Sequence, residues 1–288
     1  MPNPLELRRR IRSVDNTRQI TRAMQLVAAS RMRRAQEAVE STRPYAHHMT
    51  EVVHRLVRAS GPDSLPPLLR PRPIDRTAFV VMTTNRGLAG PLNTNIVRAA
   101  VSEMGEIGDA NNISLLVVGR KGQAALTISH KIDAVFNEIN DQPTLTDIAP
   151  VVEAVTAGYR TGEFDEVRVI YPEFVNTLTQ RPSSVRALPV LLSDEHEQAR
   201  DLDVILEPDA STVLEAIVPK YVEMTLYRAL LELVASEQSA RMVAMRAATE
   251  NATELIEGLR RAYNKLRQAR ITNEIIDIAS GANALADA

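Results

Sequence analysis

The feature that most constrains this chain is a heptad seam in its C-terminal quarter. Starting at Met224, steps alternating between three and four residues land on Tyr227, Leu231, Val234, Gln238, Arg241, Met245, Ala248, Ala252, Leu255, Leu259, Ala262, Leu266, Ala269, Asn273 and Ile276. A 3-4 seam sustained over this length belongs to a helix that packs lengthwise against another helix. Pro219 stands near its start, Gly281 is placed as a C-cap, and Gly258 is the sole glycine between them. The pattern therefore predicts a helix of about 60 residues, roughly 90 Å long. A compact chain of 288 residues has a radius of gyration of only about 19 Å, so such a helix is expected to project and to need a partner.

The N-terminal segment is the partner available in the same chain. Residues 3–59 contain no glycine, and after Pro4 their only proline is Pro44. Apolar residues fall at Leu7, Ile11 and Val14, then Ile20, Met24 and Val27, then Ala28, Met32, Ala35 and Val39. This predicts one long helix, whole or broken near Arg43-Pro44, because proline disfavours helix at the residue before it. The two ends are expected to form an antiparallel coiled coil. Small seam residues (Ala248, Ala252, Ala262, Ala269) allow close approach, while polar Gln238, Arg241 and Asn273 interrupt the seam as register-fixing or partner-facing residues do.

Between the helices the pattern changes. Residues 77–83 and 113–118 read as buried strands, 131–136 as a third, 167–171 as a fourth, and 184–192 as the last; 94–104 and 147–157 read as helices. Strands alternating with short helices predict a small Rossmann-like α/β domain with a mostly parallel sheet. The fold class is thus mixed: a long antiparallel coiled coil plus that α/β domain. Expected boundaries are 1–60 for the N-terminal helix, 61–76 for a proline-rich surface linker, 77–207 for the α/β domain and 208–288 for the C-terminal helix.

The net charge of −2 hides a segregation: residues 1–60 carry net +7 with 12 arginines and no lysine, 61–210 carry −8, and 211–288 carry −1. A basic arm suits nucleic acid, anionic lipid or an acidic protein surface, and charge alone does not choose. The basic segment is, however, needed to cover the C-terminal seam, and aromatic residues are only 3% of the chain, which offers no stacking platform for single strands. With no cysteine there is no disulfide framework, thiolate metal site or thiol switch. The adjacent His47 and His48 do not form the usual i, i+4 ligand pair, so no metal site is expected. No stretch approaches the roughly 18 apolar residues of a membrane span, and the first residues lack the apolar core of a signal peptide; neither export nor anchoring is expected. Two glycine-bearing turns after strands, Asn85-Arg86-Gly87-Leu88-Ala89-Gly90 and Gly119-Arg120-Lys121-Gly122, occupy the place of a phosphate cradle but lack the ending of a P-loop and the glycine spacing of a dinucleotide loop. No nucleophile elbow and no His-Glu-x-x-His is present. The acid-rich Asp194-Glu195-His196-Glu197 is expected on a solvated loop. The sequence thus reads as non-catalytic, with no cofactor.

Two long stretches carry a family resemblance. Arg10-Ile11-Arg12-Ser13-Val14-Asp15-Asn16-Thr17, then Ile20-Thr21-Arg22-Ala23-Met24 and Val27-Ala28-Ala29-Ser30-Arg31-Met32-Arg33-Arg34-Ala35-Gln36, resemble the N-terminal helix of F-type ATP synthase gamma subunits. Ser236-Glu237-Gln238-Ser239-Ala240-Arg241-Met242-Val243-Ala244-Met245-Arg246-Ala247-Ala248-Thr249, with Tyr263-Asn264-Lys265, Arg267-Gln268 and Ile271-Thr272-Asn273-Glu274-Ile275, resemble the C-terminal one. Arg86-Gly87-Leu88-Ala89-Gly90 and Glu207-Pro208-Asp209 are similar to the family's central markers.

The resemblance implies a rotor without an active site of its own. In that family the coiled coil lies on the axis of a ring of alpha and beta subunits, and the α/β domain rests on the membrane c-subunit ring beside the epsilon subunit. Proton flow turns the shaft, which drives the beta-subunit sites through their states. The resemblance places Met24, and the turn containing Arg86, Gly87 and Ala89, near the acidic lever of a beta subunit. It assigns Arg241, Arg267, Gln268 and Thr272 to polar contacts with the ring and Glu207 to the c ring. It implies neither nucleic acid nor direct nucleotide binding. Membrane association would come only through the complex, peripherally, on the cytoplasmic face of a bacterial plasma membrane. Ala89 stands where a cysteine is common in that family, and the cysteine-bearing insert of chloroplast forms is lacking.

Overall fold

The computed structural model describes residues 4–59, 65–190 and 209–286. Its elements in chain order are α1 (Pro4–Ala59), β1 (Thr77–Met82), α2 (Leu92–Ile107), β2 (Ile113–Val118), α3 (Arg120–Leu126), β3 (Ala134–Phe136), α4 (Leu145–Thr161), β4 (Glu166–Phe174), β5 (Gln180–Leu188) and α5 (Ala210–Ala286). Short 3-10 turns at Pro67–Leu69 and Ala110–Asn112 complete the set. Packing divides the chain into two compact units, one of residues 28–241 and one of residues 1–27 with 242–288.

In the larger unit a five-stranded sheet runs in the order β3-β2-β1-β4-β5. β1 pairs in parallel with both β2 (Val80 opposite Leu116) and β4 (Val80 opposite Val169). β2 pairs in parallel with β3, and β5 closes the sheet antiparallel to β4. The central strand is buried along its whole length, because a parallel sheet is covered on both faces. Alternation then sorts its residues. Ala78, Val80 and Met82 point to one side, where Ile148, Val151, Val155 and Tyr159 of α4 and Leu214, Val218, Val222, Leu226 and Leu230 of α5 meet them. Phe79 and Val81 point to the other, against Ile96, Ala100 and Met104 of α2. The strands and helices expected in the middle of the chain are present with shifted ends, and one helix, α3, was not expected. The last strand begins and ends earlier than anticipated; residues 191–192 lie outside the described residues. The described part of the proline-rich stretch does more than link, since Leu68 and Leu69 enter the core and Arg72 stacks 4.4 Å over the Tyr159 ring while pairing with Asp165 at 2.6 Å. The same unit holds an α1–α5 seam of Ala35, Val39, Leu231, Val234 and Ala235.

In the smaller unit the first part of α1 lies against the last part of α5. Thr21 bonds Thr249 across the pair at 2.8 Å. On α1 the inward line is Leu7, Ile11, Val14, Arg18, Thr21 and Gln25, at 3-4 spacing. Ile20 (60% exposed) and Val27 (52%) leave that line, although the apolar pattern had placed them on it. On α5 the inward line is Met245, Thr249, Ala252, Ile256, Leu259, Tyr263 and Leu266. The expected strict heptad put Leu255, Ala262, Ala269, Asn273 and Ile276 there instead, and all five are exposed. A straight α-helix repeats every 3.6 residues and drifts about 20° per heptad away from a 3.5 repeat, so the buried stripe passes from one residue to the next.

Three helix-end expectations are corrected. α1 continues through Pro44 and α5 through Pro219; proline removes one ladder bond, which packing on a long helix offsets. α5 starts at Ala210 because Asp209 caps it, accepting from the Thr212 N–H at 2.9 Å and the Thr212 hydroxyl at 2.8 Å. These donors, the backbone N–H first, hold the Asp209 carboxyl below its usual range. Gly281 lies inside α5 and not at its end.

Candidate functional site: a braced turn and an unpartnered helix end

The turn between β1 and α2 is where the sequence placed Arg86, Gly87 and Ala89. It is held from both sides. The Thr84 N–H donates to Asn93 Oδ1 at 3.1 Å, and the Thr84 hydroxyl donates to the Arg86 carbonyl at 2.6 Å. Leu88 (φ 64°) and Gly90 (φ 56°) both take left-handed backbone, which is rare for a leucine and lets the chain reverse into α2. The reversal tucks Ala89 into the core at 2% exposure and turns Leu88 outward at 59%.

Three charged contacts brace this turn. Arg241 of α5, 7% exposed, donates from Nη2 to the Gly87 carbonyl at 3.2 Å and also pairs with Glu237. Arg86 reaches Asp141 at 3.1 Å, and Arg31 of α1 meets the same Asp141 oxygen at 2.6 Å. The expected address of Arg241 was a neighbouring subunit; in this chain its guanidinium is occupied by the turn itself. A guanidinium supplies several fixed donors and suits such bracing of a carbonyl and a carboxylate together. Asp141 was not singled out in the sequence, and Arg31 and Glu237 stood there only within the quoted family stretches, with no role in this turn. Only Glu237 had a readable signal, lying four residues before Arg241 on a helix.

The second glycine turn is spent on packing. A Cβ on Gly119 (φ +92°) would lie 2.1 Å from the Thr83 carbonyl oxygen, and one on Gly122 would lie 2.6 Å from its hydroxyl. The N–H groups that a phosphate would need go elsewhere: Gly119 to the Phe136 carbonyl, Arg120 to Asn85 Oδ1, Lys121 to the Thr84 carbonyl and Gly122 to the Thr83 hydroxyl. This turn knits three strand ends together and has no free donor row for an anion.

The remaining candidates lie in the smaller unit. Met24 is half-buried on α1, flanked by exposed Ile20, Leu26 and Val27. Arg267, Gln268 and Thr272 are exposed on α5, with the Thr272 hydroxyl donating to the Gln268 carbonyl at 3.0 Å. Counted outward from the Thr21–Thr249 pair, Pro4 lies opposite Leu266, and burial on α5 stops at that same residue. Every described side chain beyond it, 267–279, is exposed, including Ile271, Ile275, Ile276 and Ile278 at 47–73%. Helix α5 thus continues beyond the described part of α1 with its isoleucines exposed. Glu207 lies outside the described residues.

A family model described as ATP synthase matches residues 3–285. The ATP synthase gamma chain of Roseiflexus castenholzii is 46% identical over 291 residues, covering 100% of both chains. The chain belongs to the ATP synthase gamma-chain family. Gamma chains from other bacteria match as fully, that of Desulforamulus reducens at 44% over 99% of this chain and 100% of its own. Among solved structures, a chain of the Tetrahymena thermophila mitochondrial ATP synthase central stalk and c-ring is 25% identical with a TM-score of 0.55, covering 80% of this chain and 99% of its own. As a member of the gamma-chain family, the protein is a subunit of a rotary enzyme complex, and among its described residues no helix is long and apolar enough to cross a membrane.

Proposed function

We propose that this chain is the turning shaft of the central stalk, carrying torque between the c-subunit ring and the ring of alpha and beta subunits and holding no active site. The observation that carries the reading is the uncovered end of α5. Exposed isoleucines at 271, 275, 276 and 278, on a stretch of α5 beyond the described part of α1, call for an apolar sleeve supplied by other chains, since contiguous exposed apolar surface marks an interaction site. Arg267, Gln268 and Thr272 stand on the same stretch and would give that sleeve its polar contacts. On α1, Met24 among Ile20, Leu26 and Val27 would meet a beta-subunit lever. The braced turn, through exposed Arg86 and Leu88 and the Gly87 backbone, would meet the lever from the larger unit; Ala89 and Arg241 would act from behind by fixing its shape. Glu207 would face the c ring, and the epsilon subunit would join the same foot.

In this reading the segments 1–60 and 208–288 make up the shaft, 77–207 the foot, and 61–76 the linker. The complex sits on the cytoplasmic face of the plasma membrane and the shaft touches lipid only through it. Torque transmission is then a differential binding effect, each angle stabilising a different set of beta-subunit conformations. The test is assembly followed by coupling. Expressed with alpha and beta subunits, the chain should co-purify with them; elution with nucleic acid in a salt-dependent way would refute the reading. In the reconstituted complex Met24→Lys, which adds a charge to an apolar patch, should lower the ratio of proton pumping to ATP hydrolysis while assembly persists. An unchanged ratio would remove Met24 from the contact.

A further inference from the structure

One turn of α1 places three metal-ligating groups together. The adjacent rings of His47 and His48 stand at 90° with centroids 5.8 Å apart, so they do not face each other. Glu51 closes the gap: its carboxylate lies 3.2 Å from His48 Nδ1 through one oxygen and 3.8 Å from His47 Nδ1 through the other. Glu51 is the i+4 neighbour of His47 and the i+3 neighbour of His48, the two spacings that share a helix face. The sequence argument against a metal considered the histidine pair alone and left out this third ligand.

We propose that His47, His48 and Glu51 form a binding site for a divalent transition metal, Zn²⁺ being the best fit. One ligand atom from each residue falls within 4.8 Å of the other two. Tetrahedral zinc with bonds of about 2.0–2.1 Å holds its ligand atoms roughly 3.3 Å apart, so the His48–Glu51 span of 3.2 Å is already close to that value, and small side-chain rotations on this exposed face would bring in the His47 nitrogen. Imidazole nitrogen with a carboxylate oxygen suits zinc in preference to magnesium or calcium, which take oxygen donors. All three side chains reach solvent, so the metal has an entry path, and a fourth position stays open to water. Because residues 47–51 follow Pro44, which removes a ladder bond from α1, a bound ion would clamp the helix one turn beyond its weakest point.

The test is a zinc titration of the purified full-length chain, read by competition with a chromophoric chelator. The chain has no cysteine, so thiolates contribute nothing to the signal. One Zn²⁺ per chain is expected, weakened tenfold or more by His48→Ala and by Glu51→Gln and unchanged by His130→Ala. X-ray absorption at the zinc edge should show two imidazole ligands. Absence of saturable binding, wild-type affinity retained in the His48→Ala and Glu51→Gln variants, or a shell with fewer than two imidazoles would each overturn the proposal. The variants change exposed helical positions, and circular dichroism checks that each retains the wild-type helix content.

Discussion

At the scale of single residues the structure replaces chemistry by packing in several places where the sequence hinted at a ligand. Gly119 is the sharpest case, because the backbone is left-handed there and Thr83 fills the space a side chain would need. Gly119→Ala is expected to cost about 3 kcal/mol or more, combining a strained φ with a backbone clash. Gly105→Ala, in the last turn of α2 with nothing near its missing Cβ, should instead stabilise by about 0.4–1 kcal/mol; urea denaturation of the two variants should give opposite signs. Glu232 supplies a pH-dependent test. It is 4% exposed, and burial pushes its carboxyl above the usual 4.5, partly opposed by Arg228 at 3.1 Å and reinforced by Glu173. A raised carboxylate contributes stability below its unfolded value and loses it as pH rises through the folded one. Glu232→Gln should therefore be more stable than the parent at pH 7, with the advantage shrinking toward pH 4. The sequence revealed neither residue's role: a buried acid and a glycine needed for close approach look like any others until the neighbours are known.

The elements were largely legible, because their signals are periodic and local. The parallel strands announced themselves as short apolar runs, and the absence of glycine from 3–59 foretold a long helix. Helix ends were read less well: Pro44, Pro219 and Gly281 all lie within helices, since burial along tens of residues outweighs a local penalty of a few kcal/mol. The seam was right in kind, and its register holds through Ala252 before it slips. A strict heptad selects Leu255, yet Leu255 is 52% exposed and Ile256 only 4%, with Met245 and Ile256 an 11-residue step apart on the buried line. That step corresponds to 3.67 residues per turn, close to a straight helix. Truncating the two side chains separates the readings. Ile256→Ala should cost about 2–4 kcal/mol, whereas Leu255→Ala should stay within about 0.5 kcal/mol; equal losses would restore the heptad register.

At the scale of the whole molecule, a chain that leaves apolar helix uncovered carries a requirement for other chains. The isoleucines at 271, 275, 276 and 278 contribute no burial to the described fold, so their value must be realised elsewhere, and the gamma-chain relatives say in what kind of complex. The sequence contained this stretch but disguised it: the heptad count ran on to Ile276 as if burial continued, whereas the described side chains of α5 are all exposed after Leu266. The decisive variant replaces Ile271, Ile275, Ile276 and Ile278 by serine together. Serine has a lower helix propensity than isoleucine by only tenths of a kcal/mol, and no buried contact is lost, so denaturation of the isolated chain should shift by no more than about 1 kcal/mol. In the assembled complex the same four changes remove the apolar surface that a sleeve of alpha and beta subunits would grip. Proton-driven ATP synthesis should fall severalfold while the purified chain remains folded. If synthesis is unaffected, this end of α5 bears no load. A cost that appears in the isolated chain would instead mean that the isoleucines are covered by the chain itself.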